Sequence, residues 1–487
     1  MAATRVLGVG RPRAAHLLGV LAFALVALIL LPSFRQGWAH ARATFRSPAP
    51  DDALEGTLIL EAELVRRGEA LYRPIVPDEF VSAPYTPVHP IILAALPTRA
   101  DIPFTAGRAL SLLAIASVGA GIGIFVGYHT GLWWLGGIAA LLWLAFAPAQ
   151  LWALRVKPDP LALAFTTGGL LLASIRRGRF ADWAALLFAL AFMTKQTAVI
   201  APAAVGLNLL FTDWRRGIRF GLFYVLAAGA PYLALHLATD GWATAHIWGL
   251  HQRAWWQWAL LAKYLRLMAW SLPLAGVTLL ALPVARRDFA YRQALIYALM
   301  APATLYGAGE QGAHHNHLLE TMLAWTMGGG IAAGLALRAW PGGTMWRAAG
   351  IAALAGLLLQ AGLMRTTPEW YRGEFSPPSL ERFVRYVQSK PGEVLADNVG
   401  LLAAAGKQVR FDDPSTMGPT IKTGTWDPSV LHTMIARREF ELIMLDVDLR
   451  KEKTDPTGRW ADQTLQLIDQ HYQLQYADVV HSYIPRQ

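Results

Sequence analysis

Long apolar runs recur through this chain, and the loops between them alternate in kind: one set is rich in arginine, the other in acids, lysine and histidine. A membrane-spanning helix needs about 20 mostly apolar residues, and about eleven segments meet that need, a few of them short. Composition agrees. Of 487 residues, 54% are hydrophobic and 16% charged, and mean hydropathy is +0.34. These values favour a polytopic α-helical membrane protein over a soluble one. The net charge of +10 would suit a nucleic-acid binder. However, most of the arginine lies in short loops between apolar helices, where a cytoplasmic Lys/Arg excess sets orientation; no nucleic-acid partner is expected. There is no cysteine, hence no disulfide, thiolate metal site or thiol nucleophile.

Arg5, Arg11 and Arg13 precede the apolar run Leu17 to Leu31, which places the N-terminus in the cytoplasm. Ala39-His40-Ala41 resembles a signal-peptidase site, but a retained first helix, leaving the membrane near Pro32, sets the later topology well. An acid-rich outer loop follows over 33–103. Within it, Glu55 to Leu71 has the period of an amphipathic helix lying on the membrane surface, and His89 to Leu96 is too short to cross. Further spans are expected over Phe104–Val126, Leu132–Pro148, Pro160–Ile175, Asp182–Thr194, Thr197–Phe211 and Ile218–Ala238. Four more cover Tyr264–Pro283, Tyr291–Tyr306, Leu318–Leu337 and Arg347–Met364. This path puts Arg176-Arg177-Gly178-Arg179, Arg215-Arg216, Arg286-Arg287, Arg338 and Arg347 inside. It puts Arg155, Lys157, Asp159, Lys195, the Trp255–Trp258 loop and the histidine cluster outside. The tryptophans also fit an interfacial belt. After residue 364 the apolar runs shorten and charges return. Segments 393–396, 408–411, 441–445 and 477–484 read as strands; 383–389, 401–405 and 463–471 read as helices. The expected organisation is a transmembrane domain over 1–364 and a small extracytoplasmic α/β domain over 365–487.

A charge at membrane depth costs several kcal/mol, so such groups usually face a cavity. Arg155, Lys157 and Lys195 are basic groups on the face that orientation statistics deplete of them. A phosphate at the membrane surface would explain them, with Arg gripping two oxygens and Lys acting as a point charge; pairing with outer acids or lipid headgroups would explain them equally. Asp159 and Gln196 sit beside them. Asp51, Asp52 and Glu55 lie close enough together to raise one another's pKa toward that of a general base, although the same sequence also suits a loop and helix cap. His314, His315, Asn316 and His317 open a helix near Glu310, Gln311 and Glu320. They could hold a divalent metal, bond a sugar or phosphate, or simply start a helix. His246 and His251 are further outer-loop histidines. Tyr85-Thr-Pro-Val-His89-Pro is stiffened by proline and suits either a cavity wall or a turn. Asp412-Asp413 reads as a turn.

At these residues the chain resembles the GT-C class of integral-membrane glycosyltransferases, and within it the group related to protein O-mannosyltransferases and lipid A aminoarabinose transferases. The carrying stretches are Leu54-Glu55-Gly56 leading to Arg67-Gly68-Glu-Ala-Leu-Tyr72, Tyr85-Thr-Pro87-Val-His89-Pro90 and Gly107-Arg108-Ala-Leu-Ser-Leu. Arg155-Val-Lys157-Pro-Asp159-Pro, Met193-Thr-Lys195-Gln-Thr and Asn316-His-Leu-Leu-Glu320 complete the series. No one of them is specific; their order and spacing over the first 340 residues are. The resemblance implies a polyprenyl-phosphate sugar donor, transfer to a glycan, lipid or protein acceptor on the outer face, and inversion at the anomeric carbon. It implies an acid after the first helix as base, and cations for the lipid phosphate, with Lys195, Arg155 and Arg108 in position to serve. Relatives often carry Asp followed by Glu as the base motif. Here Leu54 precedes Glu55 while Asp51 and Asp52 lie upstream, so Glu55 and Asp52 are preferred over Asp51. The Glu-Lys-Pro-Pro of some relatives is replaced by Pro84-Tyr85-Thr86-Pro87, which puts their metal in doubt here. A bacterial inner-membrane, cell-envelope enzyme is the expectation. The other readings are a flippase of a lipid-linked sugar, against which stand the missing internal repeat and the clustering of polar groups at one surface, and a non-catalytic envelope-assembly protein.

Overall fold

The computed structural model describes residues 12–175, 180–250, 256–310, 312–365, 377–452, 454–455 and 458–487. Arg5, Arg11, the basic run 176–179, His251, Trp255 and Gln311 lie outside them. The chain opens with α1 (Pro12–Thr44). Three helices follow in the loop region and just beyond: α2 (Leu54–Arg66), α3 (Val88–Ala95) and α4 (Thr105–Thr130). The bundle continues with α5 (Trp133–Leu144), α6 (Ala147–Trp152), α7 (Pro158–Ser174), α8 (Phe180–Thr194), α9 (Ile200–Leu210) and α10 (Trp214–Ala238). It is completed by α11 (Trp242–Thr244), α12 (Trp258–Ala269), α13 (Leu272–Leu279), α14 (Phe289–Met300), α15 (Leu319–Arg338) and α16 (Thr344–Met364). Among the described residues, α4, α10, α16 and residues 17–44 of α1 are long and apolar enough to cross a membrane by themselves.

Two expectations need correction. The first helix does not end near Pro32; it runs through that proline to Thr44. A proline removes one backbone donor, a loss that a helix packed in a bundle can tolerate; just beyond it Ser33 Oγ donates to the Ala145 carbonyl at 2.9 Å, tying this part of α1 to the segment after α5. The helix therefore extends about a dozen residues beyond the expected start of the loop, and the segment leading to α2 begins near Phe45. Second, several of the expected spans are broken. The run 132–148 divides into α5 and α6, 264–283 into α12 and α13, and 291–306 leaves the α-helix at Met300 to continue as a 3-10 helix over Ala301–Gly309. Each new piece starts with a proline in its first turn (Pro148, Pro273, Pro302), the one place in a helix where the missing donor costs nothing. The bundle core centres on α15, which is buried on nearly every face and packs against α4, α13, α14 and α16.

Beyond residue 376 comes the expected α/β unit. It holds α17 (Pro377–Gln388), β1 (Glu393–Ala396), α18 (Val399–Ala404), α19 (Pro414–Lys422), α20 (Ser429–Ala436), β2 (Phe440–Leu445), α21 (Asp462–His471), β3 (Tyr472–Ala477) and β4 (His481–Pro485). Sheet order is β1-β2-β4-β3. β1 and β2 are parallel, with Val394 opposite Leu442, and the other pairings are antiparallel. β2 is apolar along most of its length because both its faces are covered. The expected strand 408–411 is not one: Phe411 makes only a single bridge, to Phe80. The expected strand 477–484 spans a turn instead, where the Val479 amide donates to its neighbour Asp478. The pattern of apolar residues does not announce α19 and α20; Pro, Gly and Thr dominate the first of them.

This unit is not tethered loosely. Leu58 and Ala62 of α2 and Leu93 of α3 share one apolar core with Leu380, Leu402 and Met444. Phe80, in the segment between α2 and α3, enters the core on the other side of the sheet, beside Phe411 and Trp426. The closest approach is between α2 and α18: a β-carbon on Gly56 would stand 2.3 Å from the Gly400 amide nitrogen.

Candidate active site

The Pro48-Ala49-Pro50-Asp51-Asp52 segment joins α1 to α2. Asp52 Oδ1 accepts the Leu54 amide at 2.9 Å, the local Asx bond that favours Asp just ahead of a helix. Facing it is the Arg155-Val156-Lys157 segment, held extended before the Pro158-Asp159-Pro160 start of α7. Four acid–base pairs form across this contact and its neighbour, and they divide into two kinds.

Two pairs are sealed. Glu55 and Arg108 are wholly buried. Glu55 accepts from Arg108 Nε at 3.2 Å and Nη2 at 2.9 Å, from the Val156 amide at 2.8 Å and from the Asp51 amide at 2.6 Å. The remaining donors of Arg108 go to the carbonyls of Thr44, Ser47 and Ala49. Arg108 thus clasps the end of α1 and the proline-rich segment, and Glu55 ties them to the loop before α7. Similarly, Arg155 Nε donates to Asp51 Oδ2 at 2.7 Å, with both side chains fully buried and the guanidinium 5.0 Å from the Trp152 ring centre.

The other two pairs face a cavity. Lys157 Nζ donates to Asp52 Oδ1 at 2.6 Å, and Lys195, just past the end of α8, donates to Asp159 Oδ1. Asp52, Tyr85, Lys157, Asp159, Lys195, Gln196, His314, Asn316 and His317 all line one polar cavity of about 560 Å³, and Asp51 borders it with its side chain wholly buried. A second cavity of about 420 Å³ is mostly apolar, walled by residues such as Ala162, Leu163, Phe192, Val199, Ile200 and Tyr306. Asp159, Lys195, Gln196, Asn316 and His317 line both, so the Lys195–Asp159 pair stands where they meet.

Burial by itself would raise the Asp52 carboxyl; Lys157 and Arg155, with His314, reverse this and hold it well below the ordinary carboxylate range. Asp52 is therefore an anion in a polar pocket, held low by cations rather than raised by its neighbouring acids as their spacing had suggested. Tyr85 shows the opposite: burial, with Asp159 and Asp52 near, raises its phenol well above the usual value, so it remains a hydroxyl, and Lys195 Nζ lies 6.0 Å from its ring centre. Gln196 donates to the carbonyls of Pro84 and Ile247 at 2.9 and 3.2 Å, which fixes the wall near Tyr85.

The structure thus gathers most, not all, of the residues singled out from sequence. Glu55 and Arg108 do not line the cavity, and Arg155 stands behind Asp51; these three hold the wall in place. His89 is fully buried with neither ring nitrogen hydrogen-bonded, and burial pushes its imidazole down to about 4, so it is a neutral group behind the wall. His315 turns edge-on to Trp152 and Tyr264, leaving His314, Asn316 and His317 on the cavity. His246 bonds the Ala83 amide at 3.0 Å and the Arg73 carbonyl at 2.8 Å, a tether for the outer loop. Among the described residues, no group of three His, Cys, Asp or Glu is placed to hold a metal ion.

Sequence reasoning missed the far wall of the polar cavity. Asp397 and Asp446 follow β1 and β2 directly, and Arg459 Nη1 lies 3.1 Å from the former and 3.2 Å from the latter; with Asp413, Ser415 and Thr416 they close the cavity from the C-terminal unit. The available signal was an acid just past each of two apolar strands, since the carboxyl ends of parallel strands are where such sheets bind ligands. Asp412-Asp413 is more than a turn. Asp412 is fully buried and accepts the Ser82 amide at 2.8 Å, pinning the outer loop. Glu61 carries no sequence signal beyond its place in an amphipathic helix. It is buried with both oxygens unbonded, and burial, together with Asp412, raises it well above the ordinary range.

No family model and no curated protein matches the sequence. Among solved structures, ArnT from Cupriavidus metallidurans in the apo state aligns with a TM-score of 0.59 at 12% identity, covering 96% of this chain and 98% of that one. The same protein bound to undecaprenyl phosphate aligns with a TM-score of 0.55 at 14% identity, covering 95% and 97%. The chain therefore shares the fold of ArnT nearly end to end.

Proposed function

We propose that this chain is a membrane glycosyltransferase that moves a sugar from a polyprenyl-phosphate carrier to an acceptor hydroxyl at the extracytoplasmic surface of a bacterial inner membrane. One observation carries the reading. Asp52, Lys157 and Lys195 line a single polar cavity, and Lys195 and Asp159 also line a mostly apolar cavity beside it. An isoprenoid chain suits the apolar cavity, its phosphate suits the two lysines, and the sugar then lies in the polar cavity within reach of Asp52. Undecaprenyl phosphate in ArnT, which has the same fold, supports the choice of carrier. The flippase and assembly readings have no comparable observation behind them.

The reaction is a single displacement. The acceptor oxygen bonds to the anomeric carbon on the face opposite the phosphate, and the bond from that carbon to the phosphate oxygen breaks. The acceptor proton passes to Asp52, and the bonding electron pair leaves on the phosphate, where Lys195 and Lys157 stabilise the charge as it develops. Attack opposite the leaving group inverts the anomeric centre. Of the three acids named from sequence, Asp52 is the base proposed: Glu55 has its oxygens committed to four donors, and the Asp51 side chain is wholly buried against Arg155, whereas that of Asp52 keeps some exposure to the cavity.

Two steps test this. Mass spectrometry of the lipids and glycans of a strain lacking the gene, against its parent, identifies the product. Transfer to that acceptor from the lipid-linked donor is then measured for Asp52→Asn and Lys195→Ala. Both should lose most of their activity; undiminished transfer in both would overturn the assignment.

A further inference from the structure

The cavity-facing pair Asp52–Lys157 joins two groups whose roles pull in different directions. Lys157 Nζ sits 2.6 Å from Asp52 Oδ1, and both side chains are about nine-tenths buried yet line the polar cavity. So the group assigned as base and one of the two cations assigned to the phosphate are in direct contact with each other. We propose that Lys157 changes partner during the reaction, from the Asp52 carboxylate to the departing phosphate, and thereby couples proton removal from the acceptor to release of the leaving group.

The charges require some such exchange. Before transfer the donor phosphate is a diester with one negative charge, and Asp52 is an anion that holds the lysine. As the acceptor proton moves onto Asp52, that carboxylate becomes neutral and its attraction for the ammonium falls away. At the same moment the bond from the anomeric carbon to oxygen breaks, and the phosphate, now a monoester, gains negative charge. Lys157 is released where one charge disappears and is taken up where the other forms. A flexible ammonium with three donors can make this change more readily than a planar guanidinium such as that of Arg108, which is fixed to three carbonyls. The sequence follows that division, with lysine in both cavity-facing pairs and arginine in both sealed ones. The groups facing Asp52 are Lys157 and Arg155 from the segment before α7, His314 from the segment before α15, Tyr85 from the outer loop and Asp51 beside it. Of these cations, Arg155 is committed to Asp51.

This inference rests on the glycosyltransferase reading, and the test separates the two. Undecaprenyl phosphate, the product form of the carrier, is titrated into the purified full-length protein in nanodiscs. Under the proposal, Asp52→Asn frees Lys157 and tightens binding about tenfold, the worth of one charge-assisted bond. Lys157→Gln weakens binding by a similar factor, Lys157→Arg restores only part of it, and in the Asp52→Asn/Lys157→Gln double variant the tightening disappears. Asparagine keeps the bond to the Leu54 amide; if that variant is not stably folded, Asp52→Ser, whose hydroxyl can serve the same amide, gives the same readout. Unchanged or weaker binding by Asp52→Asn, while the wild type binds and Lys195→Ala weakens it, overturns the partner exchange alone. No binding by the wild type overturns the reading beneath it.

Discussion

The four acid–base pairs around this site differ in their surroundings: two are wholly buried and two keep some exposure. Glu55–Arg108 and Asp51–Arg155 are sealed in the wall. Asp52–Lys157 and Asp159–Lys195 look onto open cavities. The acids of three of these pairs fall within five consecutive residues, so proximity in sequence does not tell a structural carboxylate from a chemical one. The bonds do. A buried ion pair repays its desolvation only when its remaining donors and acceptors are satisfied; Glu55 and Arg108 meet that condition together, sharing two bonds and placing the others on the backbone. Asp52 has one cation and one local amide, so its carboxylate can be reassigned.

This contrast can be broken most directly by exchanging the two roles. Asp52→Asn should reduce transfer by about 10²–10⁴-fold, the usual worth of a positioned base, with a smaller drop in melting temperature than Glu55→Gln, because its pair keeps some exposure to the cavity. Glu55→Gln should instead unsettle the fold. Transfer rates and melting curves for both variants make the comparison, and a folded, inactive Glu55→Gln beside an active Asp52→Asn would reverse it.

Next in size is Arg108→Met. Removing one partner of a buried pair strands the other, at a cost of about 3–5 kcal/mol. The expected result is poor recovery of folded protein from detergent and a much lowered melting temperature. Gly56→Ala should cost about 1–3 kcal/mol through overpacking, because its new methyl would press on the Gly400 backbone. Since α2 carries the segment next to Asp52, limited proteolysis should detect the C-terminal unit loosening before the bundle does. Native-like protection of that unit would show that the close contact is dispensable.

The smallest effect concerns pH. Glu61 is raised by burial and by Asp412, above an unfolded value of about 4.3. The folded state then keeps a proton that the unfolded chain gives up. That stability is complete below the unfolded value and is lost as pH rises through the folded one. Asp52, held low, acts with the opposite sign: its contribution is present above the unfolded value of about 3.9 and is lost as pH falls. Glu61→Gln should therefore flatten the decline in stability toward alkaline pH. Between pH 5 and pH 6 the difference is at most about 1.4 kcal/mol, the linkage of a single proton over a tenfold change in its activity. Melting temperatures at those two pH values measure it; equal slopes for variant and wild type would leave Glu61 without this role.

Much of the fold was legible because hydrophobic periodicity is a local property. It gave α4, α7, α10, α15 and α16 to within a few residues, α2 and α3 in the outer loop, and β1 and β2 in the final unit. It failed where a proline at a helix start divides one apolar run, and where a bundle lets α1 continue through Pro32. It also failed where two strands share one apolar stretch around Asp478. The candidate site was legible as a set of unusual charges. Asp51, Asp52, Glu55, Arg108, Arg155, Lys157, Asp159 and Lys195 stand out in sequence because a charge beside an apolar run is costly and needs a reason.

What the sequence by itself determined is this inventory: which helices form, and which ionisable groups the chain carries to one end of them. Only the tertiary structure decided their division of labour. Whether a carboxylate acts as brace or as base depends on how many donors surround it and on whether a cavity reaches it. Those donors come from Arg108, Val156 and Lys157, and the opposite wall from Asp397, Asp446 and Arg459, residues tens to hundreds of positions away. Electrostatic energy depends on separation in space and on access to water, and neither can be read from separation along the chain.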